Sequence, residues 1–164
     1  MPFKQVENIE LLLQLCREFG LKLRTAESCT AGAVAAALAS VSGASDVLDR
    51  GWITYSNQAK IDELAVPENV LVEHGAVSEA VVRAMVKGAA NHQSACIAIS
   101  GIAGPSGGTI EKPVGTVWMA VYVQDKGILV SKGHLFQGSR LEIQAQAVDA
   151  AIHYLLDVLD GCYN

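Results

Sequence analysis

The spacing of apolar residues along this chain follows a helical period in some segments and a strand pattern in others. Apolar positions every three or four residues, with Gly20 as a stop, predict a first helix over residues 6–19. Ser78 is predicted to cap a later helix, and the Ser-x-x-Glu pattern at 139–142 is typical of a capping box. The further predicted helices lie at 29–41, 58–65, 78–92 and from 139 onwards.

The last of these helices has an apolar stripe that we expect to face the core. Its members recur at helical spacing after the capping box. They are Leu141, Val148, Ile152, Leu155, Leu156 and Leu159.

Short β-branched or continuous apolar runs predict strands between the helices. The run at 95–101 is apolar throughout and ends at glycine, which is typical of a buried central strand. The last two runs are separated by Asp-Lys-Gly, which indicates a hairpin. The predicted strands are 21–27, 52–57, 95–101, 116–124 and 127–137, and 42–51 is expected to be turn-rich. This alternation predicts one domain over 1–164, a three-layer α/β/α sandwich around a mixed sheet.

Composition narrows the classes of function. With 164 residues, 51% hydrophobic, the chain suits one core, and a net charge of −5 argues against a nucleic-acid partner. Its four cysteines form no C-x-x-C pair, so we expect no metal site. No signal peptide or long apolar run is present, which predicts a cytoplasmic protein without a membrane partner.

The stretch TAESCTAG at 25–32 offers two adjacent nucleophiles, Ser28 and Cys29, between a predicted strand and a predicted helix. Unpaired N–H groups at such a junction favour negative charge and can form an oxyanion hole. From position alone, however, Ser28 or Thr30 as an ordinary helix cap is the favoured interpretation. Cys29 is interpreted as a buried neighbour, because no histidine is placed to pair with it.

A nucleophilic serine needs a base, and none of the four histidines has an acidic partner at a suitable spacing. Lys60 is the alternative, because it follows the strand that contains Tyr55 and so lies near the carboxyl edge of the sheet. Burial or nearby cations would have to lower the pKa of Lys60 from about 10.4 to about 7–8. A solvated lysine on a short helix is the competing interpretation.

The loop at 101–115 is rich in glycine and proline and follows the buried strand. Glycines free the backbone to turn N–H groups towards a ligand, and hydroxyls suit a phosphate or ribose. The predicted binding residues here are Gly101, Gly104, Ser106, Gly107, Gly108 and Thr109.

Three motifs occur together: AESCTAG at 26–32, ITYSNQAK at 53–60 with GAVS at 75–78, and GIAGPSGGT at 101–109 with KPVGTV at 112–117. In this order and spacing the chain resembles the CinA C-terminal domain family, which includes nicotinamide-nucleotide amidohydrolases. The resemblance covers residues 5–160. Two departures are Ala31, where a glycine is usual, and Arg50, where a small residue is common.

The resemblance implies hydrolysis of the amide of nicotinamide mononucleotide to nicotinate mononucleotide and ammonia, without metal or organic cofactor, in a homodimer or larger homo-oligomer. It implies a serine–lysine mechanism on Ser28 and Lys60. On that mechanism we expect backbone N–H groups of Cys29 or Thr30 to hold the oxyanion, and Tyr55 to orient Lys60 or relay a proton.

The phosphate is expected against Gly107–Thr109. Glu27 is expected to face the pyridinium ring or to pair with Arg24 or Lys60. Two alternatives stay open, a nucleotide-binding regulatory module without turnover and an amidase for another small carboxamide.

Overall fold

The computed structural model describes residues 5–164, and its central feature is a five-stranded mixed sheet. The strand order is β2-β1-β3-β4-β5, in which β1 pairs in parallel with β2 and β3, and the β3–β4 and β4–β5 pairs are antiparallel. The strands are β1 (Lys22–Glu27), β2 (Leu48–Ile53), β3 (Ser94–Gly101), β4 (Thr116–Val123) and β5 (Ile128–Leu135). The mixed sheet and the late hairpin are as the sequence predicts.

Helices cover both faces of the sheet, which confirms the predicted α/β/α layering. They are α1 (Val6–Glu18), α2 (Ala33–Ala39), α3 (Asn57–Leu64), α4 (Glu68–His74), α5 (Glu79–Ala89) and α6 (Arg140–Tyr163). Helices α1, α2 and α6 bury their apolar faces against one side, where Ile97 and Ile99 of β3 point. Helices α3, α4 and α5 cover the other side, towards Cys96 and Ala98. Successive β3 residues therefore serve opposite cores, as the two-residue period of a strand requires.

The predicted caps are confirmed. Ser78 accepts a hydrogen bond from the N–H of Val81, and Ser139 and Glu142 form the reciprocal capping box of α6. Leu141, however, was predicted to face the core and is 74% exposed. It lies in the first turn of α6, before the buried stripe begins at Ile143.

Two boundaries and one additional helix differ from the prediction. Helix α2 begins at Ala33 and not at residue 29, because Ala31 and Gly32 adopt left-handed φ values of 48° and 94° that no α-helix contains. Strand β2 ends at Ile53, and the predicted strand residues 54–57 turn into α3, which Ser56 caps. Helix α4 was not predicted; it has only seven residues, between Pro67 and Gly75.

Strand β2 also begins earlier than predicted, at Leu48, inside the segment expected to be turn-rich. It lies at the edge of the sheet and is mostly exposed, so its polar residues show no strand period. Asp49 pairs with the buried Arg24 of β1 at 2.8 Å, which ties the edge strand to the sheet. Arg50 pairs with Asp49 on the surface.

None of the helices described here is long and apolar enough to cross a lipid bilayer.

Candidate active site

The site lies where the order of the parallel strands reverses. The chain leaves β1 towards β2 on one side, whereas β3 pairs with β1 on the other. Connections on opposite faces leave a crevice beyond the carboxyl ends of such strands, which is where open α/β sheets bind ligands. Ser28 directly follows β1, and Gly101 ends β3. A cavity of about 260 Å³ opens at this point.

Ser28 and Lys60 meet at the floor of this cavity. Lys60 Nζ lies 3.0 Å from Ser28 Oγ, although the two residues are 32 positions apart in the chain. Helix α3, capped by Ser56, carries Lys60 inward, where only 1% of the residue is exposed. Ser28 is 8% exposed and opens to the cavity. The structure thus brings together the predicted nucleophile and the predicted base.

Two backbone carbonyls orient the lysine. Lys60 Nζ donates to the carbonyl oxygens of Thr54 at 2.8 Å and Tyr55 at 3.3 Å. Burial disfavours the ammonium form and lowers the pKa of Lys60 from 10.5 to about 8. In the ammonium form, the third N–H of Lys60 donates to Ser28 Oγ. A neutral amine has only two N–H groups, so when these donate to the two carbonyls its lone pair faces Ser28 Oγ. This is the geometry of a general base poised on a serine.

The Cys29 thiol is unreactive as a nucleophile. The residue is 5% exposed, and burial raises the pKa of its thiol to about 12, so the reactive thiolate does not form at neutral pH. The thiol packs against Gly101, where an added Cβ would lie 3.0 Å from the Cys29 sulfur. Of the adjacent candidate nucleophiles, the geometry favours Ser28.

The turn at 28–32 leaves two backbone donors free. Ser28 N–H donates to the Ile99 carbonyl, and Gln144 of α6 donates to the Cys29 carbonyl at 2.9 Å. Within residues 5–164, the N–H groups of Cys29 and Thr30 donate to no other residue, and the Cys29 N–H lies beside its own thiol. These groups belong to the turn that precedes α2, and not to the first turn of the helix where they were predicted to lie.

Other predicted residues divide between the cavity and the structure around it. Gly101, Gly104, Ser106 and Gly107 line the cavity, as does Tyr55. The Tyr55 phenol is not in contact with Lys60; it accepts a hydrogen bond from Arg140 at 2.8 Å. Tyr55 contributes to orienting the lysine only through its backbone carbonyl, because residue 55 lies in the turn after β2 and not in the strand.

Three predicted binding residues lie outside the cavity wall. Thr109 closes a turn with Lys112, and an added Cβ on Gly108 would meet the Val114 N–H at 2.7 Å. Glu27 is 1% exposed and its carboxylate accepts hydrogen bonds from the start of α2, so it neither faces the cavity nor pairs with Arg24 or Lys60. Of the predicted phosphate segment 107–109, only Gly107 lines the cavity.

Arg140 is the charged cavity residue that the sequence interpretation missed. Its guanidinium donates to the Gly104 carbonyl at 2.7 Å and to the Tyr55 hydroxyl, across the mouth of the cavity. The order of the strands offered a signal. Because β4 is antiparallel to β3 and β5 is antiparallel to β4, β5 ends at the same side of the sheet as β1 and β3, and α6 begins there, close to Ser28. Arg140 and Lys60 are the charged residues in the cavity wall, and no carboxylate joins them among the described lining residues.

A larger open groove of about 790 Å³ lies elsewhere, between α3 and α5. Leu64 and Arg83 are among the residues that line it, and its described walls contain no nucleophile beside a base. The smaller cavity at Ser28 is therefore the candidate active site.

Comparison with known proteins agrees with this fold. Residues 6–159 match the family model described as the CinA C-terminal domain. A CinA-like protein from Syntrophobacter fumaroxidans is 49% identical over 90% of this chain, which corresponds to 35% of that protein. The chain thus spans about a third, or less, of the long relatives that it matches.

Shorter relatives align along most of their length. The nicotinamide-nucleotide amidohydrolase PncC of Pseudomonas putida is 44% identical over 87% of this chain and 89% of its own. A CinA superfamily protein from Enterobacter cloacae, solved as a crystal structure, superposes with a TM-score of 0.90 at 32% identity, over 97% of this chain and 94% of its own. Since the family model covers residues 6–159, nearly the whole chain, the chain belongs to the CinA C-terminal domain family.

Proposed function

We propose that this chain hydrolyses the carboxamide of nicotinamide mononucleotide to nicotinate mononucleotide and ammonia. The observation that carries the proposal is the buried Lys60 amine 3.0 Å from Ser28 Oγ, in the wall of a cavity. Relatives of similar length named as nicotinamide-nucleotide amidohydrolases support the choice of substrate. We extend the activity in their name to this chain because each is more than 40% identical to it over most of its length.

In the first half-reaction, neutral Lys60 accepts the proton of Ser28 as Oγ attacks the carboxamide carbon. The carbonyl oxygen becomes an oxyanion, for which the free N–H groups of Cys29 and Thr30 are the candidate donors. Lys60 then gives its proton to the amide nitrogen, the C–N bond breaks, and ammonia leaves an ester on Ser28. A positioned base of this kind contributes about 10²–10⁴ in rate.

In the second half-reaction, water takes the place of the serine. Lys60, neutral again after ammonia has left, accepts a proton from the water that attacks the ester carbon. The same N–H donors face the second oxyanion. Collapse breaks the bond to Ser28 Oγ, the Lys60 proton returns to the serine, and the carboxylate product is released.

The charge of the cavity suits an anionic substrate. Arg140 lies at the mouth beside the Gly104–Gly107 segment, and no acidic side chain is among the described lining residues. Guanidinium groups bind phosphate through paired N–H donors, so we place the 5′-phosphate at Arg140 and the open backbone of Gly107. This assignment replaces the predicted contact with Gly108 and Thr109.

The test is an ammonia-release assay on purified protein with nicotinamide, its riboside, its mononucleotide and NAD. Ser28→Ala and Lys60→Ala should each abolish release with the fold intact by circular dichroism, and Cys29→Ala should retain most activity. Arg140→Gln should raise KM for the mononucleotide at least tenfold and leave the riboside unaffected.

Three outcomes would contradict the proposal. An active Ser28→Ala variant together with an inactive Cys29→Ala variant would make Cys29 the nucleophile. Ligand-dependent stabilisation without ammonia would favour the regulatory module, and turnover only of another carboxamide would reassign the substrate.

A further inference from the structure

Glu27 is the buried carboxylate that the proposed reaction does not use. It ends β1, directly before Ser28, and is 1% exposed. Its oxygens accept hydrogen bonds from Thr30 Oγ1 at 2.7 Å, Val34 N at 2.9 Å and Ala35 N at 3.1 Å. Over residues 5–164, no cation lies within ion-pair distance of it. The carboxylate is thus held by three neutral donors.

These contacts replace an ordinary helix cap. The residue before α2 is Gly32, which has no side chain to accept from the second and third helical N–H groups. Glu27 accepts from those two groups from the end of the preceding strand. The cap therefore also links the two ends of the turn at 28–32.

That turn needs an external restraint. Ala31 and Gly32 have consecutive left-handed φ values of 48° and 94°, and for an alanine this conformation is strained. Strained backbone persists only where surrounding contacts hold it. The Thr30 hydroxyl, inside the turn, donates to the same Glu27 carboxylate that caps α2, so one side chain holds both the turn and the helix.

The arrangement also determines which N–H groups are free. Glu27 occupies the Val34 and Ala35 donors of α2, whereas the N–H groups of Cys29 and Thr30 donate to no other residue within residues 5–164. These groups belong to the two residues that follow Ser28, whose Oγ lies 3.0 Å from Lys60 Nζ. A shift of about 1 Å in such a group can cost about 10²-fold in rate.

We propose that Glu27 is a positioning residue, which holds the 28–32 turn so that Ser28 Oγ faces Lys60 and the Cys29 and Thr30 N–H groups face the oxyanion. The inference rests on the proposed serine–lysine hydrolysis and adds a structural reason for the carboxylate before the nucleophile. It predicts that Glu27 affects turnover and not substrate affinity, because Glu27 does not line the cavity.

Four variants test it. Glu27→Gln keeps the shape but has one acceptor oxygen in place of two. Thr30→Val removes the hydroxyl that donates to Glu27, and Thr30→Ser restores one. Leu38→Ala, in the buried face of α2 and without a hydrogen bond to Glu27, is the control for loss of stability alone.

Two rates are measured below the unfolding temperature of every variant. One is ammonia release from nicotinamide mononucleotide. The other is labelling of Ser28 by a fluorophosphonate, in which a Ser28 Oγ–phosphorus bond forms and fluoride leaves. This second rate reports the serine and its oxyanion donors without depending on the natural substrate.

We expect Glu27→Gln and Thr30→Val to lower kcat and the labelling rate by about 10- to 100-fold, with KM within about threefold. Thr30→Ser should recover most of the loss, and Leu38→Ala should stay within about threefold of the wild type. Equal losses in Glu27→Gln and Leu38→Ala, or full rates in Glu27→Gln, would overturn the inference. A wild-type Ser28 that is never labelled would overturn it together with the proposed mechanism.

The same labelling pattern in a protein that releases no ammonia would refute the proposed substrate and still support the role of Glu27.

Discussion

Lys60 combines burial with complete hydrogen bonding, and this combination defines its chemistry. With 1% of the residue exposed, the ammonium form loses its hydration, which lowers the pKa of Lys60 to about 8. The Thr54 and Tyr55 carbonyls keep the amine in one orientation in either protonation state. A lysine so placed can act as a base near neutral pH. A solvated lysine, whose pKa is about 10.4, is almost fully protonated there and cannot.

The first prediction concerns pH. Because the base is the neutral amine, kcat/KM should rise about tenfold per pH unit below pH 8 and level off above it. Initial rates of ammonia release between pH 6 and 9.5 measure this profile. Lys60→Arg is the matched control, since a guanidinium cannot lose its proton and should be inactive throughout. A flat wild-type profile across pH 6–8 would contradict the role of Lys60.

A second residue, Ala31, has a strained backbone conformation that glycine would adopt more easily. It is exposed and has a φ of 48°, a conformation that costs an L-residue about 1–2 kcal/mol. Ala31→Gly removes this cost but adds freedom to the unfolded chain, so we expect the free energy of unfolding to rise by about 0.5–1 kcal/mol. Urea denaturation followed by circular dichroism measures the change.

Ala36→Gly is the control for Ala31→Gly. Ala36 is exposed in the interior of α2, where glycine should lower stability by about 1 kcal/mol. Two changes of the same kind, five residues apart, should therefore have opposite signs. Destabilisation by both would show that the left-handed turn does not strain Ala31.

Between elements, the position of Lys60 depends on how closely α3 meets α5. Gly88 of α5 faces the end of α3, and an added Cβ there would lie 2.0 Å from the Leu64 carbonyl oxygen. No side chain fits at this crossing, so the two backbones are in direct contact. From the sequence pattern, Gly88 is only a residue of low helix propensity inside a helix. The contact that requires a glycine there is with Leu64, 24 positions away.

The third prediction follows from this contact. Gly88→Ala should lower the free energy of unfolding by about 1–3 kcal/mol, because α3 has to move away from α5. We also expect reduced turnover, since α3 carries Lys60. Gly161→Ala is the matched control: nothing lies within 4 Å of its added Cβ, and alanine should stabilise α6 by up to about 1 kcal/mol. Equal effects of the two changes in urea denaturation would contradict the close crossing.

Element boundaries could be predicted where the signal is local. The caps of α5 and α6 and the apolar run of β3 follow from adjacent residues, and each was predicted correctly. Boundaries set by distant contacts were missed. Strand β2 is an exposed edge held by the ion pair of Asp49 with Arg24 of β1. Helix α2 begins late because Ala31 and Gly32 are left-handed, in a turn that Glu27 contacts from the end of β1.

Across the whole molecule, the cavity exists because three parallel strands have their carboxyl ends on the same side of the sheet. Ser28 follows β1, Lys60 follows β2, and Gly101 ends β3, with the strand order reversing between them. Helix α6 brings Arg140 to the same edge after the hairpin of β4 and β5. The family motifs identified Ser28 and Lys60 as a pair, but Arg140 lies outside every motif and was found only in the structure.

The sequence by itself determined the periods, the caps, the layer architecture and the family, because each of these depends on residues close together in the chain or on motifs in a given order. Tertiary structure decided what each buried polar group contacts. It separated Glu27 from the cavity, placed Lys60 Nζ 3.0 Å from Ser28 Oγ, and put the guanidinium of Arg140 at the mouth. These relations depend on how distant segments pack, which no local pattern of residues records.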